Sequence, residues 1–133
     1  MDSKLLVQET ALITGTASGI GRGIAIAIAR EGARVVLSDI DAQHGEETAS
    51  ALRQEGCDAI FLAVDLAAPD GAELLLKGGL DKFGTPSIFV HAASPRRLEA
   101  DTILNVSGDT WDRMLSVNLR SGFLLAREIA RKM

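Results

Sequence analysis

Several residue types are absent from this 133-residue chain or scarce in it, and each shortage narrows the possible functions. A single cysteine, Cys57, excludes an internal disulfide framework and fits a reducing compartment. Aromatic residues make up only 4% of the chain, and tyrosine is missing altogether, which argues against stacking platforms for nucleic-acid bases. The net charge is −4 and no basic residues cluster, so we expect no nucleic-acid partner.

Two further absences concern membranes and metals. No apolar run approaches the roughly 18 residues that span a bilayer, and the N-terminal sequence MDSKLLVQET lacks the apolar core of a signal peptide. We therefore expect a cytoplasmic protein without a membrane partner. The two histidines and the cysteine lie too far apart for metal-site spacing, so no metal site is expected. A hydrophobic content of 47% and a charged content of 24% are typical of one globular domain over residues 1–133.

The most informative stretch is ALITGTASGIG, residues 11–21, where a short apolar run gives way to glycines and then to an Ala/Ile-rich segment. A strand that turns on glycine into a helix brings free backbone N–H groups and the positive end of the helix dipole together, which favours a phosphate. The glycines could instead serve only to form a turn without binding a ligand, but their place between strand and helix favours a dinucleotide site. Gly15 then permits the tight turn, Gly19 lets the backbone approach a pyrophosphate, and Gly21 lets helix and sheet pack closely.

Strand and helix patterns alternate along the chain. The expected strands are Ala11–Thr14, Arg34–Asp39, Ala59–Val64 and Ser87–His91. The expected helices are Gly19–Glu31, Ala42–Glu55, Pro69 to Phe83 and a long one from about Gly108 to Met133. Within the third helix, Gly78-Gly79 is expected to fray or bend the backbone, because glycine is a poor helix former. Four strands, each followed by a helix, predict an α/β fold of Rossmann type, with a doubly wound parallel sheet covered on both faces.

A carboxylate ends the second expected strand. Asp39 follows Gly21 by 18 residues (39 − 21), where it can accept hydrogen bonds from both ribose hydroxyls of NAD and repel the 2′-phosphate of NADP. Asp39 could instead be an exposed acid at a strand end, while its neighbour Asp41 better fits the N-cap of the next helix. Arg22 could reach a phosphate, but it lies on the first helix rather than beside Asp39. We therefore predict NAD as the cofactor, with NADP less favoured.

Residues 14–21, TGTASGIG, resemble the TGxxxGIG fingerprint of the short-chain dehydrogenase/reductase family. Asp65-Leu66 resembles the acidic adenine contact of that family, and residues 111–119 are similar to its long helix with a catalytic asparagine. The resemblance extends over the whole chain and implies the N-terminal half of such an enzyme, truncated after about four strands and the long helix. The cofactor-binding residues that it implies are Gly15, Ser18, Gly19, Ile20, Gly21, Asp39, Ile40, Asp65, Leu66, Ala92 and Ala93.

The resemblance also implies a reaction, namely hydride transfer between a nicotinamide and an alcohol or ketone substrate. In the family a tyrosine donates the proton, a lysine lowers its pKa and a serine orients the substrate, all beyond the long helix. This chain has no tyrosine and ends at Met133, so of the family's catalytic residues only Asn118 is present. The family uses this asparagine to hold a water by bending the helix, although a polar residue packed mid-helix is an alternative. We expect these 133 residues alone to be inactive.

Residues 91–94, His-Ala-Ala-Ser, depart from the family pattern, which has Asn-Asn-Ala-Gly at this place. The asparagine amides that tie the central strands together are therefore absent. His91 could replace one of these hydrogen bonds, and a catalytic role for it is less favoured. The loop from Ser94 to Ser107 carries Arg96 and Arg97, which favour an anionic substrate unless the loop is simply solvated.

The long helix expected from about Gly108 to Met133, called the closing helix below, carries an apolar stripe at helical spacing. Its residues are Leu115, Leu119, Phe123, Ala126 and Ile129 or Ala130. In the family this helix pairs with its twin across a dimer axis, so we expect a homo-oligomer formed through it. The strand Ser87–His91 would also be an unpaired edge, which favours association. Two other functions stay open, a non-catalytic dinucleotide-binding or regulatory protein and a mononucleotide-binding half-domain.

Overall fold

The computed structural model describes residues 3–133 as alternating strands and helices. The strands are β1 (Thr10–Thr14), β2 (Arg34–Asp39), β3 (Ala59–Ala63) and β4 (Ile88–His91). The helices are α1 (Gly19–Arg30), α2 (Ala42–Gln54), α3 (Gly71–Phe83), α4 (Gly108–Leu115) and α5 (Ser121–Lys132), and a π-helical turn (Ser116–Arg120) joins α4 directly to α5. Every expected element is present with ends that differ by at most two residues, and the long helix expected from about Gly108 is interrupted by the π-helical turn. None of these helices is both long and apolar enough to cross a membrane.

The four strands form one parallel sheet in the order β3-β2-β1-β4. The register pairs Thr14 at the end of β1 with Ser38 on one side and with His91 on the other. The chain adds strands to one side of β1 and then crosses to the other side, so the strand order reverses between β1 and β4. A crevice opens at the carboxyl ends of the strands at such a point, and ligands bind there in folds of this type. Within residues 3–133, β4 has a neighbour on one side only.

Helices cover both faces of the sheet, as the sequence predicts for a doubly wound fold. Side chains alternate between the faces along each strand. One core, between the sheet and helices α1 and α2, contains Ala11, Ile13, Val35, Leu37, Ala25, Ala29, Ala49 and Leu52. The other core, between the sheet and helices α3 and α5, contains Leu12, Val36, Leu75, Leu76, Leu125 and Ile129. The α/β architecture is therefore confirmed.

The glycine pair in α3 does not fray the helix, so that prediction is wrong. Helix α3 continues without a break from Gly71 to Phe83. A Cβ atom at Gly79 would lie 3.4 Å from the side chains of Leu12 and Val36, and one at Gly78 would lie 2.7 Å from Leu62 Cδ1. Because both positions lack a side chain, the helix packs close to the sheet, and this packing offsets the low helix propensity of glycine.

Candidate functional site

The glycine turn between β1 and α1 has the backbone geometry that the sequence predicts. Gly15 and Gly19 have φ angles of +74° and +58°, in the left-handed region that favours glycine. A Cβ atom at Gly15 would lie 2.6 Å from the carbonyl carbon of Ala92, whereas one at Gly19 would meet nothing within 4 Å. A Cβ atom at Gly21 would overlap the carbonyl oxygen of Gly15. Gly15 and Gly21 thus let the turn, α1 and the end of β4 meet, while Gly19 faces open space.

The turn is held to the end of β2 by hydrogen bonds. The N–H and the hydroxyl of Thr16 both donate to Ser38 O, at 3.1 and 3.2 Å. The Ala17 amide donates to Asp39 Oδ2 at 3.0 Å, and the Asp41 amide donates to Asp39 Oδ1 at the same distance. A carboxylate oxygen accepts more than one hydrogen bond, so Asp39 keeps acceptor capacity on both oxygens. The half-buried Asp39 side chain is therefore fixed in place and still able to bind a ligand.

The N-terminus of α1 is open to a ligand. Ser18 occupies the N-cap position without a side-chain hydrogen bond, and the first turn contains no acidic residue. The Arg22 amide, bonded to Ser18 O at 3.3 Å, begins the i→i−4 pattern, so the amides before it lie at the free end of the helix. The Arg22 side chain donates to Thr48 Oγ1 on α2 and not to Asp39, as expected. The helix end thus presents backbone donors and a positive dipole to the crevice.

A cavity of about 430 Å³ lies where the turn, α1 and the carboxyl ends of the strands meet. All eleven residues that the family resemblance implies as cofactor-binding line it. Its volume lies within the range of roughly 300–1,000 Å³ that is usual for ligand sites. Ser94 and Pro95 of the loop after β4 also line it, and the lining residues that the sequence did not predict are Ser38, Val64, Arg113 and Val117. The structure therefore brings the predicted residues together in one place.

Ser38 is the most informative of the missed residues. Its side chain is buried, with 1% of the residue exposed, and its Oγ has no hydrogen-bond partner within residues 3–133. Buried hydroxyl groups nearly always have a partner. Since Ser38 lines the cavity, a bound ligand with a polar group can supply one. No sequence signal distinguished Ser38 from the other buried positions of β2.

Asp65 and Arg113 lie at the far side of the cavity. Asp65 Oδ1 accepts the Ala67 amide hydrogen at 2.9 Å and lies 3.5 Å from Arg113 Nη2, and both side chains of this ion pair are partly exposed. Arg113 also lines a second cavity of about 1060 Å³, together with Asp39 and the loop residues Arg96 and Arg97. The loop after β4 therefore forms a wall beside the predicted ribose site.

Asn118 lies at the centre of the π-helical turn between α4 and α5. It is exposed and is not among the residues that line the 430 Å³ cavity. In this turn the Ser121 amide donates to Ser116 O, five residues earlier. The π turn coincides with the helix distortion that the family resemblance implies at Asn118, and such turns inside helices are frequent at functional sites. The catalytic role of Asn118 stays a prediction.

Asp41 caps α2, as the sequence predicts. Its Oδ1 accepts the His44 amide hydrogen at 3.1 Å, and its Oδ2 lies 2.6 Å from His44 Nδ1. The hydrogen bond from the His44 amide is the main reason why the pKa of Asp41 is lowered, and the bond to Asp41 raises the pKa of His44. Asp41 does not line the 430 Å³ cavity, whereas Asp39 does, so Asp39 is the better placed of the two for the predicted ribose contact.

Comparison with known proteins identifies the class. A family model described as short chain dehydrogenase matches residues 9–133, so the chain belongs to the short-chain dehydrogenase family. A short-chain type dehydrogenase/reductase of Picea abies is 34% identical over 131 residues, which cover 93% of this chain and 48% of that protein. A sorbitol dehydrogenase of Cereibacter sphaeroides is 34% identical over 127 residues, covering 94% and 47%.

Solved structures give the same result for the fold. L-sorbose reductase from Gluconobacter frateurii, complexed with NADPH and L-sorbose, superposes with a TM-score of 0.89 at 28% identity, over 99% of this chain and 50% of that one. The 3-ketoacyl-(acyl-carrier-protein) reductase from Brucella melitensis, complexed with NADH, gives a TM-score of 0.84 at 30% identity, over 96% and 51%. The chain thus spans about half the length of these relatives.

Proposed function

We propose that this chain forms the dinucleotide-binding part of an NAD-dependent oxidoreductase that transfers hydride between nicotinamide and an alcohol or ketone. The observation that carries the proposal is the Asp39 carboxylate, which lines the cavity with free acceptor capacity. A carboxylate at the end of the second strand binds both ribose hydroxyls of NAD and repels the 2′-phosphate of NADP. Similar solved structures hold NADPH or NADH, so the preference for NAD rests on Asp39.

The residues of the cavity fit this cofactor. The free amides at the start of α1, with Gly19 facing open space, suit a pyrophosphate. Asp65 and Leu66 would hold the adenine, and the Ser38 hydroxyl, which has no partner in the described part of the chain, supplies a further hydrogen-bonding group in the cavity wall. Bound NAD supplies the hydride acceptor, and the chain binds and orients it.

The 133 residues bind the cofactor without catalysing the reaction, in this proposal. The sequence contains no tyrosine to serve as the proton donor of the family. Asn118 would contribute to catalysis through its place in the π turn. Two relatives have names that specify a polyol and a ketose, and both compounds belong to the alcohol and carbonyl class proposed here.

The closing helix contributes a surface for a second copy of the chain. Leu115, Leu119 and Phe123 are 42%, 67% and 58% exposed, and Ala126 and Ala130 extend the same exposed stripe. Ile129 lies in the core instead, with 2% exposed, so Ala130 is the residue that continues the stripe. Exposed apolar surface of this kind is typical of protein–protein contacts. We infer a homo-oligomer that forms through this stripe.

Calorimetric titration of the purified chain with NADH and with NADPH tests the proposal. We expect NADH to bind and NADPH to bind at least roughly tenfold more weakly, because the 2′-phosphate meets the Asp39 charge. Equal affinities would refute the preference for NAD, and tighter binding of AMP or ATP would indicate a mononucleotide site.

A second experiment tests the predicted inactivity. The absorbance of NADH mixed with the chain and a carbonyl compound should stay constant. Its decay at a rate proportional to the chain concentration would refute the predicted inactivity.

A further inference from the structure

The hydroxyl group of Thr14 determines the state of one nitrogen of the neighbouring His91 ring. Thr14 Oγ1 accepts the amide hydrogens of Ala92 and Ala93, both at 3.1 Å, and lies 2.9 Å from His91 Nδ1. A hydroxyl oxygen has two lone pairs and one proton. Since the two amides occupy the lone pairs, the proton of Thr14 is donated to Nδ1. His91 Nδ1 is therefore an acceptor and carries no hydrogen.

The other ring nitrogen has a partner that demands a hydrogen. His91 Nε2 lies 2.9 Å from the carbonyl oxygen of Val117. A carbonyl oxygen can only accept, so Nε2 must donate. Both ends of the ring thus require the same form, the neutral imidazole with its hydrogen on Nε2.

The Val117 carbonyl is available to His91 because of the π turn. In a regular α-helix the Ser121 amide would bond to Val117 O, but here it bonds to Ser116 O. Val117 O accepts from the side chain of Ser121 at 2.6 Å and from His91 instead. The next residue is Asn118, so His91 is bonded to the backbone beside the predicted catalytic side chain.

The closing helix leaves room for the His91 ring. A Cβ atom at Gly122 would lie 2.8 Å from His91 Cδ2 and 3.2 Å from Nε2. Any residue other than glycine at this position would therefore push the ring away from Val117 O. The small residue at position 122 and the imidazole at position 91 fit each other.

From these contacts we propose that His91, as the Nε2–H tautomer, is a positioning residue that holds the π turn of Asn118 against the cofactor cavity. It joins Thr14 at the end of β1, and through it the cavity residues Ala92 and Ala93, to the closing helix. The meaning for catalysis rests on the oxidoreductase function proposed above. The tautomer and the link are properties of this chain that can be measured without any nucleotide.

Nitrogen-15 NMR of the labelled chain, without nucleotide, tests the tautomer. The chain has two histidines, His44 and His91. The substitution His44→Gln removes the signals of His44, so the histidine signals that remain belong to His91. Long-range correlations should show Nε2 of His91 protonated and Nδ1 bare. A mixture of tautomers, or a hydrogen on Nδ1, would overturn the proposal. NADH titration is a separate measurement, so failure of NADH to bind would refute the proposed function and leave the tautomer result standing.

Hydrogen exchange in variants tests the link. His91→Phe keeps the volume without the hydrogen bonds, and we expect exchange of the Ser121 and Gly122 amides to rise roughly five- to tenfold. His91→Asn should behave like His91→Phe, because the asparagine side chain is too short to reach Val117 O. His91→Gln can place an N–H near the position of Nε2, so it should restore the protection of these amides. Ser121→Ala is the control, because it removes the other donor to Val117 O and should leave the His91 tautomer unchanged. Unchanged exchange in His91→Phe, or an equal rise throughout the sheet, would overturn the positioning role.

Discussion

The Asp39 carboxylate accepts the Ala17 amide hydrogen at 3.0 Å, which joins the end of β2 to a turn that lies 22 residues earlier in the chain. One oxygen of Asp39 thus orders the glycine turn, and the other orders the start of α2 through the Asp41 amide. The residue proposed to bind the ribose also organises the two segments on either side of it.

Asp39→Asn removes the charge of this site together with one of its two backbone contacts, because the amide nitrogen of asparagine cannot accept the hydrogen of the Ala17 or the Asp41 amide. The variant retains one oxygen acceptor but loses the negative charge, so we expect NADH to bind about tenfold more weakly, with a smaller loss or a gain for NADPH. Calorimetry measures both affinities. Asp58→Asn is the control, since it removes the same charge from an exposed residue at the opposite end of the sheet. Equal effects of the two substitutions would contradict a specific role for Asp39.

Ser38→Ala should affect stability and binding in opposite directions. Removing a buried hydroxyl that has no partner within residues 3–133 stabilises the free chain by about 1 kcal/mol, because its desolvation is uncompensated. If the hydroxyl bonds to bound nucleotide, NADH affinity falls roughly fivefold. Thermal denaturation and calorimetry check the two effects. Ser50→Ala, on α2 outside the cavity, should leave the affinity unchanged, and an unchanged affinity in Ser38→Ala would exclude the contact.

Two glycine-to-alanine substitutions should change stability with opposite signs. A Cβ atom at the buried Gly45 of α2 would overlap the Phe61 ring, so Gly45→Ala should destabilise the chain by about 1–3 kcal/mol. At Gly23 of α1 a Cβ atom meets nothing within 4 Å, so Gly23→Ala should stabilise by about 0.5–1 kcal/mol through helix propensity. Urea denaturation of both variants checks this. If both variants were more stable than the parent chain, helix propensity would dominate at both sites. If both were less stable, packing would dominate at both.

Leu119→Lys should dissociate the proposed oligomer. Leu119 is 67% exposed on the stripe of the closing helix, so a charge there disrupts an interface without disturbing the core. Light scattering after gel filtration should show the monomer mass for the variant and a larger mass for the parent chain. Leu104→Lys, in the loop after β4 where the residue is 94% exposed, should keep the parent mass. A monomeric parent chain at micromolar concentration would refute the interface.

The pair formed by Asp41 and His44 predicts a window of pH in which α2 is most stable. His44 has its pKa raised above 6.5 by the bond to Asp41, so its contribution is complete below that pH and is lost as pH rises through the folded value. Asp41 has its pKa lowered below 3.8, chiefly by the His44 amide, so its contribution is present above that pH and is lost as pH falls through the folded value.

The stabilisation should therefore be greatest between the two values. We expect the difference in Tm between the parent chain and His44→Gln to be largest near pH 5, a value between the usual Asp and His pKa values. It should shrink above the folded pKa of His44, which proton NMR of the ring measures directly. A difference that keeps growing as pH rises above the folded pKa of His44 would contradict this assignment.

Much of the fold could be predicted from the sequence because its signals are local. Valine-rich segments such as Arg34–Asp39 mark buried parallel strands, and the turn needs glycine at position 15 for steric reasons that any copy of the motif shares. The spacing after Gly21 predicts Asp39 near the glycine turn, and the family resemblance implies the same for Asp65. The cavity confirms that they lie together.

Other features depend on residues far apart in the sequence, and local patterns do not predict them. Gly78 and Gly79 have low helix propensity, but the absence of a side chain lets Gly78 pack against Leu62 and Gly79 against Leu12. Arg113 lies beside Asp65 across 48 residues, because the closing helix returns to the carboxyl edge of the sheet.

The sequence by itself determined the order of strands and helices, the glycine turn, the acid at position 39 and the absence of a tyrosine, since each is a property of composition or short-range spacing. Only the tertiary structure decided which groups become partners. Among the described residues, it left the Ser38 hydroxyl unpaired in the cavity wall and bonded His91 to both Thr14 and Val117. The physical reason is that a hydrogen bond requires two groups within about 3 Å of each other, and the register of the sheet and the packing of the closing helix set that distance.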